Sequence, residues 1–216
     1  MGTLGRPAGV LFDLDGTLLD SEPVHRAAYR TFFAERGWDV DPETYAHFVG
    51  RRGADVFATL PGPWAGEDPD ALVAEVLGPL AGSDVVPEPA PGATELIRGL
   101  HARNIPIALV TSATRAWAEY AVEELLGVRE CFKALITWED VTHGKPEPAP
   151  FLAACQALRV APATAVAIED SVAGVTAAVA AGIGRVVAVT MTTDANLLKG
   201  AGAHQFVASL TELSDR

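Results

Sequence analysis

The sequence predicts an α/β protein: a doubly wound parallel sheet with an all-helical insertion just after its first strand. Three observations carry that expectation. An apolar run at residues 10–12 meets a turn signal at once, which reads as a short buried parallel strand. Residues 22–82 then contain no convincing strand pattern. From Gly92 onward, helical and apolar strand patterns alternate, as a parallel sheet with helices on both faces requires.

Taken in order, residues 1–7 read as a loose tail. After the first strand, Ser21 is a good N-cap, with Glu22 and Pro23 in the first turn of a helix. Val24, Ala28 and Phe32 fall four apart on one face of it, and Gly37 stops it. Further helices are expected at 42–49, 54–60 and 69–80, the last two separated by Pro61-Gly62-Pro63 and Gly66. Prolines 87, 89 and 91 make 84–91 a stiff return segment. The expected division is therefore 8–20 with 87–216 for the α/β core and 21–86 for a helical cap. Within the core, helices are expected at 94–103, 115–126, 149–158 and 172–181. Strands are expected at 105–110, 134–136, 165–168 and 186–189. Gly182-Ile183-Gly184 begins like a dinucleotide-binding fingerprint, but it follows a helix and lacks the third glycine, so it reads as a tight loop.

The chain has 216 residues, enough to bury a core and carry an insertion, and 49% of them are hydrophobic. A formal net charge of −12 argues against nucleic-acid partners and anionic membrane surfaces. No apolar run approaches the ~20 residues that span a bilayer. Residues 1–8 lack the apolar centre of a signal peptide. Cys131 and Cys155 show no metal or redox spacing and read as packing residues. A cytoplasmic protein is expected, a monomer or at most a weak homodimer.

Chemistry concentrates at the predicted strand ends. Asp13 and Asp15 flank a leucine at the mouth of the first strand, and period-two alternation points them the same way. Like charges so close demand a shared cation or proton. Thr111 and Ser112 end the second core strand, where they serve either to cap the next helix or to donate to a phosphoryl oxygen. Lys145 is one of only three lysines beside thirteen arginines, and Pro146 and Pro148 stiffen its loop. It reads as a directed cationic contact, with a solvated surface lysine as the plain alternative. Glu169 and Asp170 close another apolar run, either as a helix-start acidic pair or as partners of Asp13 and Asp15 in a hard-oxygen cluster suited to Mg²⁺.

Asp13-Leu14-Asp15-Gly16-Thr17, Val110-Thr111-Ser112, Gly144-Lys145-Pro146 and Glu169-Asp170 resemble, in order, the four motifs of the haloacid dehalogenase-like hydrolases. The resemblance runs from about residue 9 to 207, and its insertion falls where members with a first-type cap carry their helices. It implies a Rossmann-like core and a Mg²⁺-dependent phosphatase acting on a small-molecule phosphate ester, nearest to those for small sugars and polyols. By resemblance, Asp13 is the nucleophile and Asp15 the general acid and base. Mg²⁺ is held by Asp13, the Asp15 carbonyl and Asp170, with Glu169 acting through water. Thr111 and Lys145 bind the phosphoryl oxygens. Thr17, Ser112 and Arg115 are expected on the substrate side, and Arg51 and Arg52 in a cap loop that reads the distal end.

Three rivals share the fold. A β-phosphoglucomutase-like isomerase fits less well, because Thr17 replaces a typical Val and residues 21–86 contain no lysine. A haloacid dehalogenase would lack Asp15. A catalytically silent binding protein would be free to lose one of the four motifs, and none is lost.

Overall fold

A six-stranded, wholly parallel sheet in the order β5-β4-β1-β6-β7-β8 organises the chain. The computed structural model describes residues 4–80 and 86–213. Its strands are β1 (Gly9–Phe12), β2 (Leu19–Asp20), β3 (Glu88–Pro89), β4 (Ile107–Val110), β5 (Ala134–Ile136), β6 (Ala165–Glu169), β7 (Arg185–Val189) and β8 (Gln205–Val207). β2 and β3 stand apart as a two-stranded antiparallel ribbon. The order reverses around β1, whose neighbours β4 and β6 lead to opposite edges. In open α/β sheets, ligands bind at the carboxyl ends beside such a switch point.

Strand periodicity builds two apolar layers. Val10 and Phe12 face one side with Ile107, Leu109, Val166, Ile168, Val187 and Val189. Leu11 faces the other with Ala108, Val110, Ala165, Ala167, Val186 and Ala188. The second layer is rich in alanine, so its helices can approach the sheet closely.

The helices of the insertion are α1 (Glu22–Glu35), α2 (Gly53–Thr59) and α3 (Pro69–Leu77), joined by a 3₁₀ turn at Pro42–His47. They share an apolar cluster of their own, which includes Tyr29, Phe32, Phe33, Phe48, Phe57, Trp64, Leu72 and Val76. The Trp64 ring stacks on Phe33 at 5.8 Å and meets Phe57 edge-on at 5.3 Å, while its indole donates to the Leu60 carbonyl at 2.9 Å. Arg36 fastens the outside, bridging Glu67 at 2.7 Å and Glu75 at 2.6 Å.

In the core, α4 (Ala93–Ala102) and α5 (Arg115–Tyr120) pack on the first layer through Leu96, Ile97, Leu100 and Ala118. α6 (Ala149–Leu158), α7 (Val172–Ala180) and α8 (Ala195–Gly200) pack on the second through Phe151, Ala154, Ala177, Ala178 and Leu198.

Three sequence expectations are corrected. Ser21 occupies the N-cap of α1, but its backbone is helical and its side chain makes no capping bond; a capping hydroxyl needs the extended conformation. The return segment 84–91 is partly a strand, with Glu88–Pro89 paired to β2; Pro89 is tolerated because the ribbon leaves its missing donor at an edge. Residues 84–85 lie outside the described residues. Beyond Val189 no element was expected, yet α8 and β8 extend the sheet by one strand. At six and three residues they carry too little periodicity to read. The glycine-rich decoy is a tight loop, as expected: the Gly184 amide donates to Pro162 at 3.0 Å.

Because Trp64 ties the insertion's rings together, Trp64→Ala should cost about 3–5 kcal/mol of that unit's stability. Urea unfolding followed by near-ultraviolet circular dichroism measures it. A loss below about 1 kcal/mol would show that the insertion is not held by this cluster.

Candidate active site

The site begins where β1 runs out. The Asp13 amide donates to the Ile168 carbonyl at 3.0 Å, carrying the ladder one residue past the strand and holding the Asp13 carboxylate in a buried position. Leu14 turns into the core, and its carbonyl accepts from the amides of Thr17, Leu18 and Leu19. That tight turn requires φ +84° at Gly16, where a Cβ would also strike the Asp170 carboxylate. Thr17, expected on the substrate side, instead donates its hydroxyl to Asp170 Oδ1 at 3.0 Å and is fully buried.

Lys145 is the opposite of a surface lysine. It is 2% exposed, and its three ammonium hydrogens meet acceptors from three adjacent strand ends. These are Asp13 Oδ1 at 2.5 Å, Glu169 Oε1 at 2.5 Å and the Val110 carbonyl at 2.9 Å. Burial alone would lower its pKa, but the two carboxylates outweigh burial and hold it above the usual lysine value.

Glu169 is fully engaged. Its second oxygen accepts from the amides of Asp170 and Ser171 at 3.0 and 3.1 Å and from the Ser171 hydroxyl at 3.0 Å. Asp170 is held by Thr17 and by the Thr192 hydroxyl from the loop after β7. Thr192 was not anticipated, since nothing in its local sequence marks it.

Carboxylate oxygens of Asp13, Glu169 and Asp170 all lie within 4.8 Å of one another. One ammonium group balances three carboxylates only in part. The consequence is visible in their ionisation. Burial, with Glu169 nearby, pushes Asp170 up to about 7. Burial also pushes Asp13 well above its ordinary value, although Lys145 pulls the other way. A hard divalent cation fits this donor set and would relieve the excess negative charge.

The insertion reaches the same strand ends. The Ser112 hydroxyl donates to the Gly50 carbonyl at 3.2 Å. Gly50 lies so close to Ser171 that a Cβ would collide with its hydroxyl. Arg52 donates to the carbonyls of Trp138 and Val141 at 2.6 and 3.2 Å, and its guanidinium lies 4.9 Å over the Trp138 ring. Ser112 and Arg52, both expected to touch substrate, thus join insertion to core. Arg115 is held by Asp140 at 2.5 Å and donates to the Leu135 carbonyl at 3.3 Å. Arg51 makes no such contact with the core; its Nε, like that of Arg52, is buried with no hydrogen-bond partner among the described residues. Thr111 is buried at the end of β4, accepting from the Ala113 amide at 3.0 Å, which leaves its hydroxyl hydrogen uncommitted. Asp15 accepts from the indole of Trp117 at 3.2 Å, a contact no motif announced.

The arrangement defines a hydrolase-type centre at the switch point of a doubly wound sheet. A family model for haloacid dehalogenase-like hydrolases matches residues 7–182, and the chain belongs to that family. It is 39% identical to validoxylamine A 7'-phosphate phosphatase of Streptomyces hygroscopicus subsp. limoneus, over 94% of each chain. It is 36% identical to a fructose-1-phosphate phosphatase of Escherichia coli K12, over 82% of this chain and 94% of the other. A solved structure of a putative β-phosphoglucomutase from Bacteroides vulgatus superposes with a TM-score of 0.81 at 27% identity, covering 95% of this chain and 85% of that one. No described helix is long and apolar enough to cross a membrane.

A carboxyl whose folded pKa lies above its unfolded value costs stability above the folded pKa, and the cost vanishes below the unfolded value. For Asp170 that window runs from 3.8 to about 7. Metal-free protein should therefore gain thermal stability as pH falls from 8 to 5.5. Millimolar divalent cation should raise Tm at pH 8 and much less at pH 5.5, where protons compete for the same oxygens. Asp170→Asn should flatten both responses in a thermal-shift assay. An equal metal-induced shift at both pH values would contradict the charge excess.

Proposed function

We propose that this protein is a Mg²⁺-dependent phosphatase that hydrolyses a small phosphorylated sugar or polyol through an aspartyl-phosphate on Asp13. The observation that carries the reading is the buried Lys145 set between Asp13 and Glu169, with Asp170 beside them. A carboxylate nucleophile meets a phosphate dianion only where positive charge cancels the repulsion, and phosphoryl transfer depends chiefly on such positioning and neutralisation. The similarity to phosphatases named for phosphorylated small molecules supports the substrate class.

Mg²⁺ would be held by Asp13, the Asp15 carbonyl and Asp170, with Glu169 acting through water because its own oxygens are taken. Bound there, it supplies charge neutralisation to the phosphoryl oxygens. In this reading Thr111 donates its free hydroxyl hydrogen to a phosphoryl oxygen, and Lys145 favours the ionised form of Asp13 and aligns it. Asp15 protonates the departing alkoxide and then deprotonates the attacking water. Thr17 and Thr192 keep Asp170 turned toward the cluster. The helical insertion, taken as residues 21–86, closes over the substrate, excludes bulk water and offers Arg51 to its distal groups.

Hydrolysis screening with sugar, polyol and glycolate phosphates in Mg²⁺ tests the reading. Asp13→Asn should lose kcat by roughly 10⁴-fold or more while keeping its fold. Near-wild-type turnover in that variant would defeat the covalent mechanism. Conversion of β-glucose 1-phosphate to glucose 6-phosphate faster than phosphate release would establish an isomerase instead.

The two cap arginines should separate kinetically. Arg51→Ala should raise KM for the good sugar or polyol phosphate while leaving p-nitrophenyl phosphate unchanged, because only the former has distal groups to read. Arg52→Ala removes a contact between insertion and core, so it should weaken both substrates alike. Identical profiles for the two variants would remove the distinction.

A further inference from the structure

The side chain that reaches the Asp15 carboxylate comes from a core helix rather than from the motif that contains Asp15. Trp117 Nε1 donates to Asp15 Oδ1 at 3.2 Å, and among the described residues no other hydrogen bond reaches that carboxylate. The indole is well fixed. Thr114 caps its turn, accepting from the Trp117 amide at 3.3 Å. Tyr120 lies in tilted ring contact at 5.9 Å, and the body of the indole packs on the apolar layer that holds Phe12 and Leu14. One turn later the helix widens into a π-helical stretch, Ala121–Leu125, a departure that frequently accompanies functional sites.

We infer that Trp117 is a positioning residue for Asp15, an inference that rests on the phosphatase reading above. An indole N–H donates and never accepts. Bound to Oδ1, it makes that oxygen the acceptor in both protonation states, which leaves Oδ2 to carry the exchangeable proton. In the first half-reaction an Asp13 oxygen bonds to phosphorus as the bond to the ester oxygen breaks. The Oδ2 proton passes to that oxygen, and Asp15 is left as a carboxylate. In the second, Oδ2 takes a proton from water while the water oxygen bonds to phosphorus and the Asp13–phosphorus bond breaks. Inorganic phosphate leaves and both carboxyl groups are restored. Trp117 holds one rotamer of Asp15 through both steps, with no proton of its own to exchange.

Leaving-group dependence tests this. kcat/KM reports events up to the first irreversible step, the departure of the leaving group. An alkoxide needs the Asp15 proton, whereas p-nitrophenolate does not. Trp117→Phe keeps a ring and removes the N–H. It should lower kcat/KM about tenfold or more for fructose 1-phosphate, or for whichever alkyl ester the wild type turns over fastest. p-Nitrophenyl phosphate should stay within about twofold. In an Asp15→Asn background the same change should have no further effect on either ester. Trp117→Gln and Trp117→Leu form a second pair, donor against no donor, and the alkyl-to-aryl ratio should fall for Leu and recover for Gln. Equal losses on both esters, additive losses with Asp15→Asn, or an unchanged ratio would make Trp117 a packing residue and overturn the inference. A wild type inert toward every ester would defeat the phosphatase reading itself, whereas an unchanged ratio in an active enzyme defeats only the role of Trp117.

Discussion

Three carboxylates stand together at the mouth of an apolar sheet because a single ammonium group stands among them. Lys145 comes from the loop between β5 and α6, far along the chain from Asp13, and its three hydrogens tie β1, β4 and β6 at their ends. Removing one partner of such a buried pair leaves an uncompensated charge, which costs about 3–5 kcal/mol. The rest of the site is arranged around this constraint. Ser171 and two backbone amides occupy the side of Glu169 that the lysine does not reach. Thr17 and Thr192 turn Asp170 into the cluster, and Gly16 has no side chain where Asp170 must sit. The negative charge that remains is what a hard divalent cation would relieve.

The insertion meets this centre through a few directional contacts. It has its own aromatic cluster, and Trp138 is the core ring that packs against it. Ser112 holds the Gly50 carbonyl, Ser171 leaves no room for a Cβ at Gly50, and Arg52 lies over Trp138. Such contacts set the distance between the two parts without merging their cores. They also explain why neighbouring arginines differ. Arg52 donates from its terminal nitrogen to two carbonyls of the core, whereas Arg51 has no such contact among the described residues; the Nε of each is buried without a partner.

The legible parts of the sequence were those with a local signal. The alternating strand and helix pattern revealed the doubly wound sheet because short continuous apolar runs such as residues 107–110 and 165–168 belong to strands buried on both faces. Three of the four motifs were legible because each ends a strand, where backbone geometry makes the side chains converge; Lys145, in the loop between β5 and α6, stood out by its rarity and its flanking prolines. Short elements such as α8 and β8 were not, since six and three residues are too few to show a period. Nor were Thr192 and Trp117, which act on Asp170 and Asp15 across large separations in the chain.

The alternation of strand and helix, the turn at Gly16 and the presence of paired carboxylates follow from the sequence by itself, because burial and backbone sterics act within a few residues; the order of the strands does not. Which side chains satisfy those carboxylates was decided only by the tertiary structure. Lysine among few lysines suggested Lys145, but its three acceptors exist only once β1, β4 and β6 lie side by side. Ser112, Thr17 and Arg52 could each have faced a ligand, and local pattern offered no means to choose. A hydroxyl or guanidinium takes whichever acceptor the assembled chain brings within about 3 Å, and that choice is made by packing across the whole fold.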